Sequence, residues 1–142
     1  MIVLDVNLLL YAYDSEALRH RASRVWLDGV FLGGELVGMP WQTVSAFLRI
    51  STNPRLSGDR FPMARAMGIV HQWMNSKQVR LLVPTERHWS LFQRMLTEGA
   101  ISGPLTTDAE LAALTMEYGG VLYTADRDFA RFPGLQWVNP LA

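Results

Sequence analysis

Residues 107–126 read TDAELAALTMEYGGVLYTAD, and this stretch sets the class of the fold. Thr107 stands where its hydroxyl can cap a helix, and Glu110 sits three residues on to complete a capping box. Gly119-Gly120 supplies the stop. Val121-Leu122-Tyr123-Thr124 then follows as a short apolar run that ends at Ala125-Asp126. The reading predicts a helix beginning at Asp108 that leads straight into a strand, with carboxylates at both ends of the unit.

The same unit recurs outward along the chain. Ile2-Val3-Leu4 is an apolar run ending at Asp5, Leu36-Val37-Gly38-Met39 stops at Pro40, and Arg80-Leu81-Leu82-Val83 stops at Pro84. Each lacks strict alternation, as strands covered on both faces do. Between them, Leu18, Ala22, Val25, Trp26 and Val30 mark a helix ended by Gly33-Gly34. Val44, Phe47, Leu48 and Ser51 mark another, ended near Asn53-Pro54, and Trp89, Phe92 and Leu96 a further one before Gly99. Met63, Ala66, Met67, Val70, Trp73 and Met74 give the clearest i, i+3, i+4 stripe, expected to lie in the core. Alternating elements of this kind predict a three-layer α/β fold around a central, mainly parallel sheet, with residues 1–142 forming one domain.

Composition narrows the chemistry. At 142 residues, 49% hydrophobic and 18% charged, the chain is apolar enough to fill a core. It has no cysteine, which excludes disulfides, thiolate metal sites and a cysteine nucleophile. The longest apolar stretch, Ile2 to Tyr13, is broken by Asp5 and Asn7 and has no basic residue before it. It is therefore neither a signal peptide nor a membrane span, and a cytoplasmic protein without membrane attachment is expected. A formal net charge of zero argues against coating nucleic acid by bulk charge. The balance is segregated, however, because residues 49–94 carry eight basic residues against Asp59 and Glu86. All basic residues but Lys77 are arginines, whose rigid fork suits phosphates and carboxylates alike.

Ligands of open parallel sheets bind beyond the carboxyl ends of the strands, and this sorts the acids. Asp5 closes the first strand, Asp126 and Asp128 follow the last run, and Asp108 opens the helix before it. Neighbouring strands would bring these carboxylates to one edge. Clustered carboxylates repel, and a hard divalent cation such as Mg²⁺ or Mn²⁺ compensates them. Metal-assisted phosphodiester hydrolysis is the chemistry that fits. Taken singly, each acid also has a structural role open to it as a turn, cap or helix-dipole carboxylate.

Ile2-Val3-Leu4-Asp5-Val6-Asn7-Leu8-Leu9, Asp108-Ala109-Glu110-Leu111-Ala112-Ala113-Leu114 and Thr124-Ala125-Asp126-Arg127-Asp128-Phe129, in this order, resemble the PIN-domain family. Within that family they are similar to the VapC-type toxins of bacterial toxin–antitoxin pairs. Phe132-Pro133-Gly134-Leu135 and Trp137-Val138-Asn139-Pro140-Leu141 resemble the tail of one branch. The resemblance implies a Mg²⁺- or Mn²⁺-dependent endoribonuclease acting on structured RNA, commonly a homodimer, silenced by a cognate VapB-like antitoxin. It implies that Asp5 and Asp108 are metal ligands, that Asp126 completes the cluster, and that Asp128 is an outer acid. Thr124 and Asn7 would orient the carboxylates by hydrogen bonds.

One position departs from the pattern. The family places a further acid on the helix after the second strand, and in Trp41-Gln42-Thr43-Val44-Ser45-Ala46-Phe47-Leu48-Arg49 its place is taken by Ala46. A water or Gln42 would have to stand in. A PIN-fold module that binds RNA or protein without cutting is therefore the alternative. Arg49 is expected to pair with an acid of the cluster, with an RNA contact as its other possible role. Arg55 and Arg60 are expected on an RNA-facing rim. Trp41 and Tyr123 can serve either as core or as base-stacking surfaces.

Other classes lack their residues. A haloacid-dehalogenase-type phosphatase needs an aspartate where Asn7 stands and a lysine near the site, but Lys77 is the sole lysine. GxGxxG, GxxxxGK[ST] and GxSxG are missing, and His20, His71 and His88 lack ligand spacing.

Overall fold

The computed structural model describes residues 1–55 and 61–142. Its strands are β1 (Ile2–Leu4), β2 (Val37–Pro40), β3 (Val79–Leu82), β4 (Val121–Tyr123) and β5 (Trp137–Val138). Its helices are α1 (Val6–Tyr13), α2 (His20–Leu32), α3 (Trp41–Ser51), α4 (Met63–Asn75), α5 (His88–Glu98) and α6 (Thr106–Glu117). The sheet runs β3-β2-β1-β4-β5, and the strand pairs are parallel throughout. β1 pairs with β4 in the register Ile2 to Val121, Val3 to Leu122 and Leu4 to Tyr123. The chain thus builds outward from β1 through β2 and β3, then returns to lay β4 on the other side of β1. That reversal opens a crevice at the carboxyl ends of β1 and β4.

Pleating splits the apolar residues of the central strands between two cores. Ile2, Leu4, Val37 and Met39 face a layer that includes Leu9, Leu27, Phe47 and Trp73 of α1 to α4. Val3, Leu82 and Leu122 face Met95 of α5 and Ala109, Ala112 and Ala113 of α6. In the first core, Phe47 and Trp73 meet edge to face at 4.8 Å between ring centroids, and Tyr13 stands 5.7 Å from Phe47. The Trp73 indole N–H donates to the Tyr13 hydroxyl at 3.3 Å. In the second, the alanines let α6 lie close against the sheet.

A buried acid clamps the second layer. Glu117, at the end of α6, accepts hydrogen bonds from the Thr85 backbone N–H and hydroxyl, each at 2.7 Å, and pairs with the His88 ring. The Arg87 guanidinium donates to the Glu117 carbonyl at 2.6 Å, and the Tyr118 hydroxyl to the Val83 carbonyl at 2.7 Å. The segment after β3 is thereby tied to the end of α6. Among the described residues, no helix is long and apolar enough to cross a membrane.

The structure departs from the expectations at several points. α6 begins at Thr106, not Asp108, and no side chain caps it. A 3-10 turn over Gly103–Leu105 feeds directly into it, so Thr107 is already inside the helix and donates to the Pro104 carbonyl at 3.2 Å. The stop is as expected, with Gly119 in the left-handed region at φ 62°. The α4 stripe is only partly core. Ala66, Ile69, Val70 and Trp73 are buried, whereas Met63, Met67 and Met74 are 48%, 48% and 37% exposed. Ile69 fills one flank of the buried face, which turns the methionine flank outward. Leu18 precedes α2 and is fully exposed. α1 and β5 had no counterpart in the reading of the sequence. α1 is apolar nearly all round, and β5 is two residues long.

Candidate active site

Asp5 leaves β1 with its backbone N–H still bonded to the Tyr123 carbonyl of β4, at 3.1 Å. Its extended backbone makes it the N-cap of α1, where one carboxylate oxygen accepts the Val6 N–H at 2.7 Å. The other accepts the hydroxyl of the fully buried Thr124 at 2.7 Å. The Thr124 oxygen in turn accepts the Asn7 side-chain amide at 3.2 Å and the Asp126 backbone N–H at 3.0 Å. Its one donor and two acceptor positions are thus all used. Asn7 closes the ring by accepting the Ala125 N–H at 3.4 Å. Asp126 caps the following 3-10 turn through a 2.9 Å bond from the Asp128 N–H. Each of Asp5, Asn7, Thr124 and Asp126 is held by another of the four.

Asp108 lies in the first turn of α6 and faces the same crevice. Burial raises its pKa from 3.8 to about 6, and the charges of Asp126, Asp5 and Asp128 add to the rise while Arg131 opposes it. Burial also raises the pKa of Asp5, against the bonds from Thr124 and Val6, and Asp126 raises it further. The four aspartates therefore share one field. None is within ion-pair distance of an arginine or lysine among the described residues.

The donors offered here are hard carboxylate oxygens, which suit Mg²⁺ or Mn²⁺. Their mutual repulsion is what such an ion relieves. Among the described residues no three acidic, imidazole or thiol groups already converge as a chelating set. Asp5 and Asp126 are each engaged in the hydrogen bonds just described, which hold their carboxylates in place.

A cleft of about 430 Å³ opens beside the aspartates, walled by Asp5 of the β1–α1 junction, Asp108 of α6, and Gln42, Ser45, Ala46 and Arg49 of α3. The α3 residues fall at i, i+3, i+4 and i+7 and so form one face of the helix. The Thr43 hydroxyl fixes the start of α3 by donating to the Leu4 carbonyl at 2.9 Å. Ala46 lines the same cleft as Asp5 and Asp108, so a methyl group stands where the family pattern has an acid. Gln42 turns its amide nitrogen to the Thr107 carbonyl at 3.2 Å, leaving its buried oxygen without a hydrogen-bond partner.

Arg49 was expected to pair with an acid of the cluster; it lines the cleft but forms no ion pair with an acid among the described residues. Arg55 is exposed in the turn after α3 and does not line the cleft. Arg60 lies outside the described residues. Ser45 was missed in the sequence, where a lone serine in a helix carries no signal.

No protein-family model matches the chain. Ribonuclease VapC33 of Mycobacterium tuberculosis is 36% identical over 141 residues, covering 99% of each chain. Among solved structures, VapBC2 from Rickettsia felis bound to a DNA fragment from its promoter aligns with a TM-score of 0.71 at 14% identity, over 98% of both chains. Mycobacterium tuberculosis VapC20, a sarcin-ricin loop cleaving toxin, aligns with a TM-score of 0.67 at 17% identity, over 96% of this chain and 99% of that one. The structural neighbours share the fold, and the full-length sequence relationship goes further: the chain belongs to the VapC ribonuclease family.

Proposed function

We propose that this protein is a Mg²⁺- or Mn²⁺-dependent endoribonuclease, the toxin of a VapBC-type pair, working in the cytoplasm as one catalytic domain over residues 1–142. The observation that carries the reading is the placing of Asp5 and Asp108 in one cleft, with Asp5 tied through the Thr124 hydroxyl to Asp126 at the β1–β4 crevice. Full-length relatives named ribonucleases support it.

In this reading Asp5 and Asp108 hold the ion and Asp126 completes its oxygen set, with Asp128 an outer acid. When bound, such an ion supplies a water of lowered pKa as nucleophile and neutralises charge on the phosphoryl oxygen. The Thr124 hydroxyl and Asn7 amide keep the carboxylates oriented before substrate arrives. Structured RNA is the substrate class, in keeping with the loop-cleaving activity named for VapC20. A VapB-like antitoxin is the partner, in keeping with the VapBC assemblies among the structural neighbours, and a homodimer is the assembly this reading assigns to the toxin.

The test is incubation of the purified protein with total cellular RNA in Mg²⁺ or Mn²⁺, beside Asp5→Ala and a chelator control. Discrete fragments that vanish in both controls are the expected result. Ala46 supports a second reading, a module that binds without cutting. RNA left equally intact by folded wild type and Asp5→Ala establishes that one instead.

A further inference from the structure

We propose that the ridge of α3 carrying Trp41, Ser45 and Arg49 is the track that seats single-stranded RNA at the cleft, Arg49 gripping a backbone phosphate and Trp41 stacking a base. The inference rests on reading the crevice as a ribonuclease site and adds the residues that hold its substrate.

Trp41, Ser45 and Arg49 fall at i, i+4 and i+8, one diagonal row on the helix surface roughly 12 Å long. All three are exposed. Ser45 and Arg49 belong to the cleft wall, while Trp41, at the start of the row, stands outside it. The row therefore crosses the rim of the cleft, as a strand entering from solvent must. Asp5 and Asp108 line the same cleft.

Arg49 is a cation in a cleft whose other charged groups are acids, yet it neutralises none of them. The cleft thus carries both kinds of charge, carboxylates from the β1–α1 junction and α6 and a guanidinium from α3. A phosphodiester is complementary to both. Its anionic oxygens fit the arginine fork, and the carboxylates accept it once their charge is compensated. Ala46 lines the cleft on the same face of α3 as Arg49, with a side chain short enough to leave that room.

Trp41 is 46% exposed and belongs to neither hydrophobic core. A large aromatic left in solvent beside a phosphate-sized site is a stacking surface for an unpaired base, which a duplex cannot present. The occupant is therefore single-stranded, whether a free strand or the loop of a folded RNA.

The experiment separates seating from cutting. Binding of a labelled single-stranded oligoribonucleotide of about ten nucleotides is measured by fluorescence anisotropy at three salt concentrations, with Mg²⁺ present to compensate the carboxylates and Asp108→Asn in the background so that nothing is cleaved. Arg49→Ala is expected to weaken binding about tenfold and to lower the slope of log K against log salt by about 0.7 to 1. Arg49→Lys keeps the slope. Trp41→Ala is expected to weaken binding at least about fivefold with the slope unchanged, and Trp41→Phe to recover most of the loss. Arg21→Ala, which does not line the cleft, serves as the control. An unchanged slope in Arg49→Ala, with circular dichroism showing a folded protein, overturns the proposal, as does equal loss in Arg21→Ala. Arg49-dependent binding in a protein that cuts no RNA upholds the track and refutes the nuclease reading. Chelator-sensitive cleavage with Arg49-independent binding does the reverse.

Discussion

Glu117 receives both the backbone N–H and the hydroxyl of Thr85 on a single carboxylate oxygen, each at 2.7 Å, while the His88 ring takes the other. Its side chain is wholly buried. This acid stabilises the layer behind the crevice without entering the crevice itself.

Its titration should be visible in stability. Burial acts to raise the Glu117 pKa, but the bonds from His88 and Thr85 outweigh it and hold the carboxyl below its ordinary 4.5. The unfolded chain then takes up the proton first as pH falls. The stabilisation is complete above about 4.5 and is lost as pH drops through the lower folded value. Urea unfolding at pH 7 and pH 4 should show wild type losing more stability than Glu117→Gln over that range. Glu117→Ala should cost about 3 kcal/mol at pH 7, because it strands buried donors. Equal pH dependence in wild type and Glu117→Gln would count against the clamp.

Thr124 is the junction of the acidic edge. Thr124→Val keeps the shape of the side chain but removes the donor to Asp5 and the acceptor for Asn7 and Asp126. Cleavage is expected to fall about 10- to 100-fold, with about 1–2 kcal/mol of stability lost. Thr124→Ser should retain most of both. RNA cleavage rates and thermal melts of the two variants decide the point.

Asp108 has the opposite sign from Glu117. Its folded value is about 6 against 3.8, so the unfolded chain gives up its proton at lower pH than the folded one. In metal-free protein, stability from this group is greatest below 3.8, declines toward 6 and stays reduced above it. Asp108→Asn should therefore melt above wild type at pH 8 in chelator, with the gap closing toward pH 4, and should cut no RNA. Adding Mn²⁺ should raise the wild-type melting temperature more than that of Asp108→Asn. Identical melts at pH 8 would contradict the repulsion.

Ala46→Glu adds a carboxylate to the cleft that Asp5 and Asp108 line. Mn²⁺ affinity measured by calorimetry should rise on the order of tenfold, with the metal-free protein less stable for the added charge. Unchanged affinity would mean that the α3 face is too far from the ion to serve it.

The elements themselves were legible because burial leaves a local record. Apolar runs closed by Pro40 and Pro84, and the Gly119-Gly120 stop, announced strands and helix ends through backbone chemistry that acts within a few residues. Where a neighbouring turn changed the local chemistry, the reading failed. The Gly103–Leu105 turn made Thr107 an interior residue in place of a cap. Two-residue β5 exists by pairing with β4 and has no period of its own to detect.

By itself, the sequence determined the alternating α/β plan, the excluded chemistries and the aspartates, for these depend on composition, period and order. Tertiary structure alone decided that β4 lies beside β1, which brings Thr124 to Asp5 across 119 positions. It also decided that Arg49 lines one cleft with Asp5 and Asp108 without pairing with them, and that the methionine flank of α4 looks outward. The physical reason is shared. Periodicity records that a face is buried, whereas the choice of partner for that face is made by packing among residues far apart in the chain.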